Sequence, residues 1–426
     1  MARKYRLGSH IHLNTDVAEL RWVEADAEWE ATLHHLVSGM GELSARDRQE
    51  RVAKSISESV ILKKVKIRAK IVVSCVGIVV QPNPWPASIP GRELFEGEVF
   101  HTSRWREDVD LDGKDVVVIG AGASAAQVVP ALLQEPYRVK SLTQIIRAAP
   151  WIMPRLQEPF GKEHFAKYAP TVLHYLPFIG WLYRIGIHVL VELVFTMLLQ
   201  KKHAKWRKGM EKATLKETYR IIPEKYHGIM TPDHPYGCKR RIFDSEWRAS
   251  MNEPNFTLAN RKIVSVGGTH MTLGASYSAH DQDTIETEIP ADVIILANGF
   301  EGTRWLHPLT VLGRNGISIH DVWKQRGGPQ AYLGTAVDGF PNFFIAVGPN
   351  TANGTASLIL TIENITSYIT NMITPILHGE IAAVEIKREA VDKWTDEIQR
   401  GLRETVFSGC VSWYMDERGY NSTLYS

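Results

Sequence analysis

The chain has 426 residues, more than one ordinary hydrophobic core accommodates, so two or three domains are expected. Its 44% hydrophobic and 23% charged content is that of a soluble globular enzyme, and a formal net charge of +2 gives no reason to expect nucleic acid or an anionic membrane as a partner. The three cysteines, Cys75, Cys238 and Cys410, are far apart, odd in number and without C-x-x-C spacing, so neither a disulfide framework nor a zinc site is signalled and a reducing, intracellular compartment is expected.

In chain order, "MARKYRLGSHIHLNTDV" contains no apolar core of a signal peptide, consistent with a cytoplasmic location. The charged stretch "RDRQERVAKSISESVILKKVKIRAK" reads as a solvated hairpin or helix–strand connection. Residues 70–91 read as a buried strand ending in a proline-rich loop, 114–120 as a short β-branched strand, and 123–134 as the helix after it. The segment 139–155, "VKSLTQIIRAAPWIMPR", opens with the next strand and breaks at Pro150 and Pro154. A helical region follows over about 160–220. Within it, residues 175–200 are apolar but interrupted by Arg184, His188 and Glu192, so a buried or surface-packed helix is expected and membrane contact is not. Further buried strands are expected at 289–300 and 339–350, with a helix from "SLILTIENITSYITNMI" after the latter. Alternating strands and helices argue for α/β architecture with parallel sheet. The 16 histidines are scattered, His10-x-His12 has no further ligands in register, and no metal site is expected.

"DVVVIGAGASAAQ" has the form strand, Gly120-x-Gly122-x-x-Ala125, helix. Gly120 permits the tight turn, Gly122 admits a pyrophosphate to the backbone, and Ala125 lets helix and strand pack closely. The expected nucleotide-binding set is Gly120, Ala121, Gly122, Ala123, Ser124, Ala125, Ala126 and Gln127. An NAD-specific fold places an acidic residue about 20 positions on; here the second strand ends in Arg147 and Ala148. A guanidinium suits a 2′-phosphate, so NADPH is expected over NADH.

Ahead of this turn lies "LFEGEVFHTSRW", with Phe95, Gly97, His101 and Trp105 in F-x-G-x-x-x-H-x-x-x-W spacing. It resembles the fingerprint of Baeyer–Villiger monooxygenases, and "HIHLNTDV", "IPG", "RAAPWIMPR", "YGCKRR", "GPN" and "CVSWY" follow that family's order. The resemblance implies two dinucleotide-binding (Rossmann-like) domains, with the NADPH domain inserted in the FAD domain and carrying a helical insertion. The implied division is 1–108 for the first part of the FAD domain with the fingerprint, 109–296 for the NADPH domain with the insertion at about 156–225, and 297–426 for the rest of the FAD domain. It implies FAD and NADPH as cofactors, O2 and a small-molecule ketone as substrates, and an ester or lactone as product. Lys239 falls where the family meets the 2′-phosphate, and Arg240 where a fixed cation stabilises the negative charge of oxygen insertion; Arg remains charged when desolvated. His101 and Trp105 are implied in domain coupling rather than chemistry, and the backbone of Val17 in the FAD adenine contact.

The family carries two glycine turns, the first for the FAD pyrophosphate, and this chain has one. The resemblance therefore implies an FAD domain incomplete at its N-terminus by at least about 30 residues. The alternatives are an oxygenase acting on nitrogen or sulfur, disfavoured by Trp105, and a non-catalytic NADPH-binding chain. Oxidation of a polyketide ketone in secondary metabolism is compatible with the sequence.

Overall fold

The computed structural model describes residues 2–54, 60–154, 158, 161–244, 246–277, 284–352 and 358–425. Residues 55–59 of the charged stretch, Arg155 of "RAAPWIMPR" and Ser357 at the head of an expected helix lie outside them. The chain divides into two units: Met1–Pro82, Phe300–Leu402 and Trp413–Ser426 form unit 1, and Asn83–Gly299 with Arg403–Ser412 form unit 2.

Unit 1 opens with the antiparallel pair β1 (Thr15–Val23) and β2 (Glu28–Leu36). Period-2 alternation puts Leu20 and Trp22 of β1 and Trp29 and Ala31 of β2 in one buried cluster. After α1 (Ala45–Lys54), β3 (Ile61–Ala69) pairs with β2, so the charged stretch resolves into a helix and an outer strand. The strand expected to be buried over 70–91 is β4 (Val72–Ser74), three residues long. Val73, Val76 and Val79 are exposed, because β4 has a single strand neighbour among the described residues.

Unit 2 is built on five parallel strands. These are β5 (Glu98–His101) and β6 (Asp115–Ile119), followed by α2 (Ala123–Leu132), then β7 (Ser141–Ile145). The short β8 (Ile152–Pro154) precedes the helices α3 (Lys162–Tyr175), α4 (Pro177–Leu199) and α5 (Ala204–Ile221). Next come β9 (Ile242–Asp244), α6 (Trp247–Ser250) and β10 (Phe256–Ala259), the antiparallel β11 (Arg261–Gly267), β12 (His270–Ser276) and β13 (Thr287–Pro290), and β14 (Val293–Leu296). The parallel sheet runs in the order β10-β7-β6-β14-β5. Val116, Val117 and Val118 of β6 are at most 1% exposed, as a central strand covered on both faces requires. Val116 and Val118 join Ala125, Val129 and Leu132 of α2 in one cluster, and Val117 joins Met271 and Leu273 of β12 in another. Fully burying one such side chain contributes about 1.5–3 kcal/mol, so this strand is a principal anchor of the unit.

The boundary expected at 108/109 falls at 82/83 in this division. β5 pairs with β14 and so extends the sheet of unit 2, carrying the fingerprint with it. The expected boundary at 296/297 falls at 299/300. The segment 175–200 differs from expectation more sharply: it forms α4, and Leu198 alone among the described side chains of that helix is buried.

Returning to unit 1, β15 (Thr310–Leu312) lies parallel to β1, and α7 (Ile319–Gln325) covers the cluster around Trp29. β16 (Phe343–Ile345) pairs in parallel with β4, and α8 (Leu358–Leu377) packs on it through Ile365 and Ile369. The last helix is α9 (Arg388–Arg403).

Candidate nucleotide-binding site in unit 2

The turn between β6 and α2 has its shape because two glycines meet different constraints. Gly120 sits at φ +136°, and a Cβ there would collide with the Ala297 carbonyl of the neighbouring strand connection. Gly122 has open space where a Cβ would stand, and it caps α2 with no side-chain hydrogen bond to the helix start. An open approach to an uncapped helix N-terminus is what a phosphate group requires. Ala125 and Ala126 are buried against the sheet, while Gly122 and Ala123 are exposed. Gln127 donates from Nε2 to the Ala123 carbonyl (2.8 Å), so its amide is occupied within its own helix.

One contributor was missed in the sequence. Gln144, fully buried in β7, donates from Nε2 to the Gly120 carbonyl (2.8 Å) and accepts at Oε1 from the Trp247 indole N–H (2.8 Å). It fixes the turn from below. The available signal was the one amide side chain of the strand SLTQI, since such a group must find partners when buried.

β6 and β7 run side by side, with Ile119 opposite Ile145, so Arg147 emerges just beyond the strand end adjoining the glycine turn. Asn260 holds that backbone by donating to the carbonyls of Ile146 (2.8 Å) and Arg147 (3.0 Å). The Arg147 side chain is exposed and Ala148 half-buried. Lys239 is half-buried, and burial is the main influence holding its ammonium below the ordinary value; Asp233 opposes this and the nearby Arg147 charge adds to it. The fold thus brings together Arg147 and Lys239, 92 positions apart in the chain. Arg240 is exposed and makes no hydrogen bond or ion pair with the described side chains, whereas its neighbour Arg241 is buried.

The fingerprint residues all have local structural work in unit 2. Phe95 is buried in the cluster with Val117 and Met271. A Cβ on Gly97 would collide with the Asp292 carbonyl and the Phe95 ring. Trp105 packs edge-on against Phe100 and Tyr137, at 5.3 and 5.7 Å between ring centroids. The backbone N–H of Ser103 donates to His101 Nδ1 (3.1 Å), which makes Nε2 the protonated nitrogen, and Nε2–H donates to the Gly299 carbonyl (3.1 Å). Burial, the largest influence, keeps this imidazole below its ordinary pKa. The same carbonyl accepts from Asn83 N–H (2.9 Å). His101 therefore ties β5 to Gly299, whose carbonyl also holds Asn83, the two residues at which unit 2 begins and ends its main pass. Val17 lies in unit 1, exposed on β1, opposite Leu33 and beside a register shift. No strand–turn–helix of the G-x-G-x-x-G or -A form occurs among the described residues of unit 1.

Contrary to expectation, Cys238 and Cys410 form a disulfide, with Cα atoms 6.2 Å apart. Their separation of 172 residues hid the pairing, and the argument for a reducing compartment that rested on unpaired cysteines falls with it. The bridge fastens Arg403–Ser412 to the segment carrying Lys239, beside backbone bonds such as Lys201 N–H to the Glu404 carbonyl (2.9 Å). Closing so long a loop restricts the unfolded chain, so Cys410→Ser is expected to destabilise the protein by about 2–3 kcal/mol. Urea denaturation with and without reductant checks this: wild type under reductant should match the variant, and a wild type indifferent to both changes would show that no bridge forms.

Residues 56–164 match the flavin-binding monooxygenase-like family. The chain is 30% identical to a Baeyer–Villiger monooxygenase of Pseudomonas aeruginosa over 99% of its own length and 71% of the relative's. It is 33% identical to one of Streptomyces coelicolor over 84% of its length and 65% of the relative's. The chain spans 59 to 65% of the length of that relative and two other curated relatives it matches. Its fold is similar to the crystal structure of OTEMO in complex with FAD and NADP, at a TM-score of 0.71 and 23% identity, covering 100% of this chain and 78% of that one. With the strand–glycine turn–helix, the complete fingerprint and this similarity, the chain belongs to the Baeyer–Villiger monooxygenases.

Proposed function

We propose that the chain acts as an FAD- and NADPH-dependent monooxygenase that inserts one oxygen atom from O2 beside a ketone carbonyl, giving an ester or lactone. The observation that carries this reading is the open approach over Gly122 at an uncapped helix start, with Arg147 and Lys239 drawn together in the same unit. NADPH, when bound, supplies the reducing hydride. The first-turn N–H groups of α2 hold its pyrophosphate, Gln144 keeps the turn rigid, and the two cations neutralise its 2′-phosphate. Arg240 holds a positive charge where negative charge builds on the ketone oxygen.

A second reading follows from the single glycine cradle among the described residues: a chain that binds NADPH and does not oxygenate by itself. The test is to purify the protein, add FAD, and measure retained flavin absorbance together with NADPH consumption that depends on a cyclic ketone. Flavin retention and ester formation support the first reading. NADPH binding with no retained flavin and no ester selects the second.

A further inference from the structure

The helices α3 and α4 form a hairpin whose turn is the single residue Leu176. The Phe165 and Tyr183 rings lie 6.4 Å apart and Gly180 faces Leu173, so the helices run back alongside one another. Among the described residues the end of α4 is what the core anchors: Val191, Val194 and Leu198 pack on Trp151 and Tyr236. Over residues 177–190 every side chain is exposed except Ile179 and Gly180, which are half-buried. At the tip Tyr175 is 76%, Phe178 59% and Trp181 62% exposed. Apolar surface on all sides of a helix is costly in water and marks a site that something else covers.

The charge pattern says what kind of partner. Between residues 164 and 191 there is no acidic side chain. Residues 162–208 contain eight Lys and Arg against two Glu, a net +6 in a chain whose total is +2. Six of the eight cations lie away from the tip, Lys162 at the start of α3 and Lys201, Lys202, Lys205, Arg207 and Lys208 after α4, with Lys201, Lys202 and Lys205 exposed, while Lys167 and Arg184 stand within the hairpin. An aromatic, apolar tip above a basic base is complementary to an acyl layer beneath anionic headgroups. Length fixes the depth. Residues 177–190 extend about 21 Å, short of the roughly 30 Å hydrocarbon core, so the hairpin enters one leaflet and does not span.

We infer that this hairpin docks the protein on an anionic lipid bilayer, monotopically, with Phe178 and Trp181 in the acyl region and Lys201, Lys202 and Lys205 at the headgroups. This is independent of the reaction proposed above and reverses the expectation drawn from composition.

The test is flotation of the purified protein with vesicles of phosphatidylcholine and phosphatidylglycerol, and of phosphatidylcholine alone, at physiological and at high salt, with size-exclusion light scattering in parallel. Expected are flotation with the mixed vesicles, at least tenfold less with phosphatidylcholine alone or at high salt, and loss in Trp181→Glu and in Lys201→Glu/Lys202→Glu/Lys205→Glu. Both variants alter exposed side chains and should keep the parent's circular dichroism and melting point; Phe178→Ser serves as a second tip variant should Trp181→Glu misfold. No flotation of the parent, or flotation indifferent to the tip variants, overturns the inference. So does a stable dimer that Trp181→Glu dissociates without any vesicle binding, which would assign the surface to a second copy.

Discussion

Gly122→Val is expected to lower NADPH affinity at least a thousandfold, about 4 kcal/mol, while leaving the fold as stable as the parent. The two halves of this expectation come from the same observation. Nothing lies within 4 Å of the position a Cβ would take at Gly122, so an added side chain meets no protein atom close to the backbone. What it does meet is the space a phosphate must enter to reach the N–H groups of α2, and no polar side chain caps that helix start in its place. Gly120→Val provides the contrast. Its Cβ would strike the Ala297 carbonyl, and φ +136° disfavours any side chain, so it is expected to destabilise unit 2 by about 3 kcal/mol or more. Isothermal titration with NADPH and thermal melts of both variants check the pair. A Gly122→Val protein that binds NADPH like the parent would remove the glycine turn from the site.

Arg240→Ala is expected to cut ester formation about a hundredfold, near 2.7 kcal/mol, in a preparation that oxidises a ketone, with NADPH affinity unchanged. The side chain is exposed and unpaired with the described side chains, so its removal breaks no packing and no ion pair of unit 2. Any loss then reports on charge stabilisation of the reacting groups. The cation that the fold does bury is Arg241, and Arg241→Ala is by contrast expected to lower stability, since truncating a buried charged side chain leaves its surroundings unfilled and its partners unmet. Ester formation at the parent's rate in Arg240→Ala would withdraw the assignment.

Local patterns carried the sequence reading furthest. The glycine turn is bounded by a five-residue strand whose side chains alternate between two clusters, and by a helix whose small residues face inward, and both follow from nearest-neighbour chemistry. The fingerprint was equally legible as a pattern, but its physical meaning was not. That His101 ties β5 to Gly299 depends on a chain separation of 198 residues. Gln144 beneath the turn and the Cys238–Cys410 bridge were hidden for the same reason, their partners being distant in sequence. The strand expected over 70–91 failed differently. Its valines promised burial, but among the described residues β4 has one neighbouring strand, and Val76, Val79 and Val80 beyond it stay exposed. The α4 segment failed in a related way. Composition and periodicity establish an apolar helix, but not whether protein covers it, and among the described residues most of 177–190 is left exposed.

The central claim is that unit 2 holds a 2′-phosphorylated dinucleotide through the glycine turn and the Arg147–Lys239 pair. The most direct measurement is the dissociation constant of NADPH against NADH for the parent and for Arg147→Ala. The parent should prefer NADPH by at least about tenfold, 1.4 kcal/mol, and Arg147→Ala should lose most of that preference by weakening NADPH while leaving NADH almost unchanged. Equal affinity of the parent for the two cofactors, or equal losses for both in Arg147→Ala, would contradict it.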